Sequence, residues 1–210
     1  MEPYIKIENL SKKIKGTAVL DNINMEFFKG NVYGIRGING SGKTMLFRAI
    51  CGLINPTEGQ ITIDKKILHK VVSFPESIGV LIENPGFLPS YTGRYNLKLL
   101  ADIKNIINYE KIDETLNLVG LDCNDKRKYK QYSLGMKQKL GIAQALMEDP
   151  DLILLDEPTN ALDEKSVENI LSIIEKEKAK GKLILIASHD KLILEQICDE
   201  IINIENGRII

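Results

Sequence analysis

The sequence carries almost no net charge, which excludes a broadly basic protein that coats nucleic acid. Its 210 residues contain 28 Lys and Arg against 29 Asp and Glu, so the net charge at pH 7 is -1. Binding to nucleic acid depends on positive charge that neutralises phosphates, and here only a local basic patch could supply it. We therefore expect no nucleic-acid partner.

Long apolar runs, a secretion signal and paired cysteines are also missing. No stretch approaches the ~20 apolar residues that a membrane-spanning helix needs. Residues 1–4 show no basic segment followed by an apolar one, as a signal peptide would. The three cysteines, Cys51, Cys123 and Cys198, lie far apart and form no CxxC pair, which is typical of reduced thiols in the cytoplasm. We expect a cytoplasmic chain that spans no membrane but could dock onto a membrane protein.

The length and composition suit one globular domain with room for an inserted segment. Hydrophobic residues make up 43% of the chain and charged residues 27%, which are ordinary proportions for a globular protein. No internal repeat or Pro/Gly-rich linker divides the chain. We expect a single domain over residues 1–210.

Hydrophobic periodicity predicts an α/β core. Alternating apolar residues predict strands in the N-terminal part, at residues 4–8, 23–28, 32–35 and 61–63. Continuous apolar runs occur at residues 152–155 and 183–187, and a predicted helix from 164 to about 179 lies between them. Such runs joined by a helix indicate a parallel sheet that is covered on both faces.

The middle of the chain has helical periodicity instead. One helical face is predicted to carry Leu97, Leu100, Ile103 and Ile107. A second predicted helix ends at Gly120 and a third follows Leu134, while an earlier helix is predicted from Lys43 to about Gly52. We therefore predict that the core comprises residues 1–84 and 148–210, with a helical subdomain inserted at about residues 85–147.

A glycine-rich loop lies between a predicted strand and a predicted helix. It fits the pattern G-x-x-x-x-G-K-[ST] with Gly37, Ile38, Asn39, Gly40, Ser41, Gly42, Lys43 and Thr44. Glycines let the backbone N–H groups of such a loop point at phosphate oxygens, and the helix that follows adds its positive end. Lys43 is placed to contact the β- and γ-phosphates, and the Thr44 hydroxyl is placed to ligate Mg²⁺. The pattern predicts a nucleotide-phosphate site.

Two acidic residues follow the predicted buried strand at residues 152–155. Asp156 is placed to hold Mg²⁺, and Glu157 is placed to polarise the attacking water as a general base. On its own, such an acidic turn would more often be a solvated surface feature. Together with the phosphate loop it predicts nucleotide hydrolysis.

Five motifs, in a shared order, resemble those of ATP-binding cassette (ABC) proteins. Besides the phosphate loop and the acidic strand, residues 132–138 (Tyr-Ser-Leu-Gly-Met-Lys-Gln) are similar to the family signature LSGGQ. Residues 158–163 are similar to the segment that leads into the D-loop, and residues 188–190 (Ser-His-Asp) are similar to the switch-histidine segment. The resemblance covers essentially the whole chain. It implies a P-loop NTPase fold with a mostly parallel central sheet, an N-terminal antiparallel β portion and an inserted α-helical subdomain.

The resemblance also implies ATP and Mg²⁺ as cofactors and a site shared between two cassettes. The signature of one cassette, through Ser133 and Gly135, would close on the γ-phosphate held by the other, and Asp163 would cross the same interface. A helix N-terminus at Ser133 agrees with this role because it favours an anion. His189 would contact the γ-phosphate and keep the attacking water in line with Glu157. The second cassette is either another copy of this chain or a paralogue.

Two residues depart from the family pattern. Glu83 stands where the family usually has a glutamine that touches metal and water. Its carboxylate is a candidate Mg²⁺ ligand, but it places negative charge beside the γ-phosphate. The aromatic residue that usually stacks on adenine falls at about Ile14, which implies weaker discrimination among nucleobases.

The variant motifs indicate a subtype. Glu83, the sequence of residues 84–87 (Asn-Pro-Gly-Phe) and the signature form SLGMKQ resemble bacterial exporters of the bacitracin-resistance and lantibiotic-immunity type. Signature variants are shared with sodium and multidrug exporters. The resemblance therefore implies an ATPase that powers export of an antimicrobial peptide, drug or ion through separate integral membrane permease subunits. It would lie in the cytoplasm, on the inner face of the cell membrane, with a transporter contact near residues 83–95.

Two other classes of function are considered. A non-transport ABC ATPase could act in translation or DNA repair. Translation members carry two cassettes in one chain, and repair members place a long coiled coil between the two nucleotide motifs. Neither fits, because this chain has one phosphate loop and no sustained heptads between Lys43 and Asp156. A non-catalytic binding module would require Glu157 to be inert.

Overall fold

The computed structural model describes residues 2–83 and 86–210. The strands along these residues are β1 Ile5–Ile14, β2 Thr17–Phe27, β3 Val32–Arg36, β4 Glu58–Ile63, β5 Lys66–Ile67, β6 Ile78–Leu81, β7 Leu152–Asp156, β8 Leu183–Ser188, β9 Glu200–Glu205 and β10 Arg208–Ile209. The helices are α1 Lys43–Ile50, α2 Gly93–Lys104, α3 Tyr109–Leu118, α4 Leu134–Leu146, α5 Glu164–Ala179 and α6 Lys191–Ile197, and a 3₁₀ turn covers Tyr129–Gln131.

The central sheet has six strands in the order β10-β9-β3-β8-β7-β6. Strands β9, β3, β8, β7 and β6 run parallel, and β10 pairs antiparallel with β9 at one edge. Every residue of β7 and β8 is buried, as expected for strands covered on both faces. Because the strands are parallel, the segments that follow β3, β6, β7 and β8 meet at one edge of the sheet, which is where α/β proteins bind ligands.

Alternate residues of the central strands enter two separate cores. Leu152 and Leu154 of β7 pack with α1 and the N-terminal strands, whereas Ile153 and Leu155 pack with helices α2 to α6. This follows from the two-residue period of a strand, which sends successive side chains to opposite faces. The N-terminal strands form a second, antiparallel sheet in the order β2-β1-β4-β5. The predicted α/β architecture is confirmed.

The middle of the chain is helical, but its first helix differs from the prediction. Helix α2 begins after the N-cap residue Thr92 and ends at Lys104, with Asn105 in the left-handed conformation (φ 53°). Leu97 is buried, whereas Ile103 is 77% exposed and Ile107 lies beyond the helix. The predicted helical face through Ile103 and Ile107 is therefore wrong, because the helix ends before Ile107 is reached.

Helix α1 also ends two residues earlier than predicted, at Ile50. Gly52 follows it with φ 76°, and a Cβ there would lie 2.4 Å from the Ser73 carbonyl oxygen. The backbone at Ser73 lies so close to residue 52 that only glycine fits after the helix. Within the described ranges, 2–83 and 86–210, no helix combines the length and apolar character needed to cross a membrane.

Candidate nucleotide site

A cavity of about 710 Å³ opens at the carboxyl edge of the central sheet. The phosphate loop and the start of α1 form one wall, and the β1–β2 hairpin forms another. A third wall, next to the start of α1, is acidic and consists of Glu83 after β6 with Asp156 and Glu157 at the end of β7. The parallel register thus brings the predicted phosphate-binding and acidic residues to one cavity, although they are far apart in sequence.

The phosphate loop has the backbone geometry of an anion site. Gly40 and Gly42 have φ of 81° and 115°, values that favour glycine. Gly42 is the N-cap of α1 and supplies no side-chain cap, and the first turn of α1 contains no acidic residue. The free N–H groups of this helix start therefore face the cavity with the positive end of the helix dipole.

Gly37, the first residue of the loop, is required by close packing. A Cβ at this position would lie 2.3 Å from the Ser41 hydroxyl and 2.5 Å from the carbonyl oxygen of Ile204. Both distances are far below van der Waals contact, so the loop can follow this path only with glycine at its start.

The Lys43 side chain is buried against the loop that precedes it. Its ammonium donates to the carbonyl oxygens of Gly37 at 2.7 Å and Ile38 at 3.2 Å. It also lies 3.7 Å from Glu157 Oε1, and only 6% of the side chain is exposed. The ammonium is thus held between the loop and the acidic wall, where it can meet a phosphate.

Thr44 and Asp156 are the candidate Mg²⁺ ligands, and the structure brings them together. The Thr44 hydroxyl donates to Asp156 Oδ2 at 2.7 Å. Burial raises the pKa of Asp156, the hydrogen bond from Thr44 opposes this, and the nearby charges of Glu157 and Glu83 raise it further. Hydroxyl and carboxylate oxygens are donors that Mg²⁺ accepts, usually with substrate phosphates completing its shell. No cluster of three or more His, Cys, Asp or Glu residues in the described part of the chain could hold a metal without such help.

Glu157 is held by the last residue of β8 and by the residue that follows it. Its carboxylate lies 2.9 and 3.0 Å from His189 Nδ1, and it accepts from the His189 backbone N–H at 3.1 Å. The Ser188 hydroxyl donates to its second oxygen at 3.2 Å. The Glu157 backbone has φ 49°, a strained value for this residue type. Because neighbouring strands β7 and β8 end side by side, the predicted proximity of Glu157 and His189 follows from their register.

The predicted signature and D-loop residues are placed differently. Ser133 is the N-cap of α4 and accepts from the Met136 N–H at 3.2 Å, while Asp163 is the N-cap of α5 and accepts from the Ser166 N–H at 2.8 Å. Hydrogen bonding with the Ser166 side chain, and next the capping bond from its backbone N–H, lowers the pKa of Asp163. A Cβ at Gly135 would approach the Ala161 carbonyl oxygen to 2.8 Å. Ser133, Gly135 and Asp163 are not among the residues that line the cavity of their own chain, although their neighbours Leu134 and Ala161 do line it.

Glu83 lines the cavity but has a partner of its own. Its carboxylate accepts from Arg48 Nη2 at 2.9 Å, and its backbone has φ 54°. The two residues that follow, Asn84 and Pro85, lie outside the described residues, so the structure does not bear on that part of the subtype motif. Ile14 is 42% exposed and does not line the cavity, whereas Thr17, Ala18 and Val19 do.

Two contacts of the site were missed by sequence reasoning. Gln138 of α4 donates to the Glu157 carbonyl oxygen at 2.9 Å and so joins the signature helix to the acidic strand. Arg48 is the partner of Glu83, and its position one helical turn after Thr44 was the available signal.

Comparison with known proteins places the sequence among ABC proteins. A family model described as ABC transporter matches residues 20–160. The chain is 51% identical over 205 residues to an uncharacterized ABC transporter ATP-binding protein, YybJ, of Bacillus subtilis (strain 168), and the match covers 98% of this chain and 94% of the relative.

Two further relatives have transport functions in their names. The chain is 38% identical to the bacitracin transport ATP-binding protein BcrA of Enterococcus faecalis, a match that covers 100% of this chain and 69% of the relative. It is also 38% identical to the lantibiotic transport ATP-binding protein SrtF of Streptococcus pyogenes, with 98% of this chain and 89% of the relative covered.

Solved structures agree with the sequence comparison. The fold is similar to the dimeric structure of a bacterial ABC transporter cassette, with a TM-score of 0.88, 27% identity and coverage of 98% of this chain and 96% of that one. A post-hydrolysis dimer of the same cassette, bound to ADP and Pi, is similar with a TM-score of 0.87, 26% identity and the same coverage.

Proposed function

The chain belongs to the ABC transporter family as an ATP-hydrolysing, ATP-binding subunit, and we propose that it powers export of an antimicrobial peptide through separate membrane subunits. The observation that carries the ATPase mechanism is the convergence of Lys43, Asp156 and Glu157 on one cavity, with His189 in contact with Glu157.

The phosphate loop and Lys43 bind the nucleotide. The N–H groups from Gly40 to Thr44 surround the phosphates, and the Lys43 ammonium leaves its carbonyl partners to pair with the β- and γ-phosphates. Thr44 and Asp156, already in contact at 2.7 Å, would hold Mg²⁺. When bound, this ion neutralises phosphate oxygens and so favours attack at the γ-phosphorus.

Glu157 is proposed as the general base for the attacking water. Its carboxylate accepts hydrogen bonds from Ser188 and from His189, so both oxygens are oriented before the nucleotide arrives. The base takes a proton from water as the water attacks the γ-phosphate, and the bridging oxygen leaves with ADP. His189 positions Glu157, and its proposed second role is to contact the γ-phosphate.

We further propose that a second cassette completes the site. Ser133 and Gly135 stand at the N-terminus of α4 beside Leu134, which lines the edge of the cavity, but neither of them lines it. A head-to-tail pair would bring this helix start onto the γ-phosphate bound by the partner, with Asp163 at the same interface. The similarity to a dimeric cassette supports the arrangement.

The helical segment at about residues 85–147 is proposed as the subdomain that contacts the membrane subunits. Leu88, Tyr91 and Tyr95 are exposed apolar residues, and the two tyrosine rings stack with centroids 4.8 Å apart. Exposed apolar clusters mark interaction surfaces. Binding there would hold the chain at the inner face of the cell membrane.

The export substrate is proposed from the relatives named for bacitracin and lantibiotic transport. A role in translation or DNA repair has no support in these comparisons. The test is reconstitution of the chain with its membrane subunits in vesicles and measurement of ATP hydrolysis with bacitracin, a lantibiotic or a small cationic drug. Stimulation by a peptide, lost in Glu157→Gln, is expected. Stimulation by the drug alone would contradict the peptide assignment but leave the ATPase assignment intact.

A further inference from the structure

Side chains on one face of helix α1 contact the ends of two neighbouring strands, β7 and β6. Thr44 and Arg48 are four residues apart, so their side chains lie on the same side of the helix, one turn from each other. Thr44 donates to Asp156 at the end of β7, and Arg48 donates to Glu83 after β6. The acidic wall of the cavity therefore contacts α1 at two points, one helical turn apart.

The register of the sheet places Glu83 beside the acidic residues Asp156 and Glu157. Leu81 of β6 pairs in parallel with Leu155 of β7, so Glu83 and Glu157 each follow the paired residues by two positions. Glu83, Asp156 and Glu157 all line the cavity at this edge of the sheet. A third carboxylate at this wall opposes the binding of a polyphosphate unless a cation offsets it.

The Arg48–Glu83 pair is exposed to solvent, so Glu83 can exchange Arg48 for another cation. The Arg48 side chain is 38% exposed and that of Glu83 is 57% exposed. Ion pairs in such surroundings are weak because water screens them, and their contribution corresponds to about 5-fold at most in an equilibrium constant. A divalent cation beside Thr44 and Asp156 can therefore compete with Arg48 for the carboxylate.

We propose that Arg48 is a positioning residue that holds the Glu83 carboxylate one helical turn from Thr44 and offsets its charge until Mg²⁺–nucleotide binds. Arg48 and Mg²⁺ are then alternative partners of Glu83. This deepens the proposed function and rests on it, because it concerns the same nucleotide site. The affinity of the chain for nucleotide then depends on Mg²⁺ through the Arg48–Glu83 pair.

The test measures the ATP affinity of the whole purified chain by calorimetry, once with Mg²⁺ and once with EDTA. The readout is the factor by which Mg²⁺ strengthens ATP binding. In Arg48→Ala the uncompensated Glu83 repels free ATP and is available to the metal, so this factor should rise about 2- to 5-fold. Arg48→Lys should restore most of the wild-type factor because it keeps the charge.

A double-mutant cycle shows whether Arg48 acts through Glu83. In the Glu83→Gln background, Arg48→Ala should leave the Mg²⁺ factor unchanged. An equal rise in both backgrounds would mean that Arg48 acts on the nucleotide directly, and it would overturn the proposal. An unchanged factor in Arg48→Ala alone would overturn it as well.

Two further variants separate this inference from the general fold and from the proposed function. Lys66→Ala removes an ion pair of similar exposure, Lys66 with Glu76 at 39% and 67%, away from the cavity, and it should leave the factor at the wild-type value. Lys43→Ala should lose ATP binding in the same titration. Retained binding in Lys43→Ala would contradict the proposed nucleotide site itself, whereas a silent Arg48→Ala beside a defective Lys43→Ala would contradict only the role of Arg48.

Discussion

Replacing Glu157 with glutamine should stop chemistry while leaving the nucleotide bound. Glutamine has the size of glutamate, so its side chain fits the space between Ser188, His189 and Lys43. When the amide nitrogen takes the place of Oε2, the hydrogen bond from the Ser188 hydroxyl is lost and the bond from the His189 N–H to Oε1 is kept. That loss costs about 0.5–1.5 kcal/mol in stability, too little to unfold the site.

The effect on turnover is much larger than this structural cost. A positioned general base contributes about 10²- to 10⁴-fold to rate, which corresponds to about 3–5 kcal/mol in the activation barrier. ATP affinity should be unchanged or higher, because the substitution removes a negative charge that lies 3.7 Å from the Lys43 ammonium. Lys43 is then free to pair with phosphate.

The assay is phosphate release from saturating Mg²⁺–ATP, with ATP affinity measured on the same preparation. Glu164→Gln is a matched control, since Glu164 is an exposed acid in the first turn of α5 and does not line the cavity. Turnover of Glu157→Gln within 10-fold of the wild-type rate would refute the assignment of Glu157 as the base.

Two other substitutions test the phosphate loop. Lys43→Ala should abolish ATP binding in calorimetry, because it removes the ammonium that faces the β- and γ-phosphates; binding at wild-type affinity would show that the loop is not the phosphate site. Gly37→Ala should lower the free energy of unfolding by about 1–3 kcal/mol, because the new Cβ would lie 2.3 Å from the Ser41 hydroxyl and 2.5 Å from the Ile204 carbonyl oxygen. Thermal unfolding measures this loss. Gly86→Ala is the control, because nothing lies within 4 Å of a Cβ at this position. Equal melting temperatures for the two variants would contradict the packing argument.

The residues of the site were predictable where local spacing or strand register determines their position. The phosphate loop carries its own pattern and lies between a strand and a helix, as its chemistry requires. Glu157 and His189 follow buried strands that pair directly, so their contact follows from the parallel sheet.

Other features depend on geometry that sequence spacing does not contain. Arg48 and Glu83 meet through a left-handed backbone at Glu83 and through the approach of α1 to the end of β6. The predicted face through Ile103 and Ile107 is wrong because Asn105 ends the helix in the left-handed conformation, and an isolated apolar pattern does not reveal such an end. The contact of Gln138 with the Glu157 backbone likewise arises from tertiary packing of α4.

We propose that ATP is hydrolysed in a site shared by two cassettes. Sedimentation of Glu157→Gln with Mg²⁺–ATP, with ADP or without nucleotide tests it most directly, because this variant keeps the γ-phosphate in place. We predict a dimer with ATP and a monomer with ADP or no nucleotide, and loss of the dimer when Gly135→Asp is added, since a carboxylate in the signature would repel phosphate. A Glu157→Gln chain that stays monomeric with saturating Mg²⁺–ATP would contradict pairing between copies of this chain.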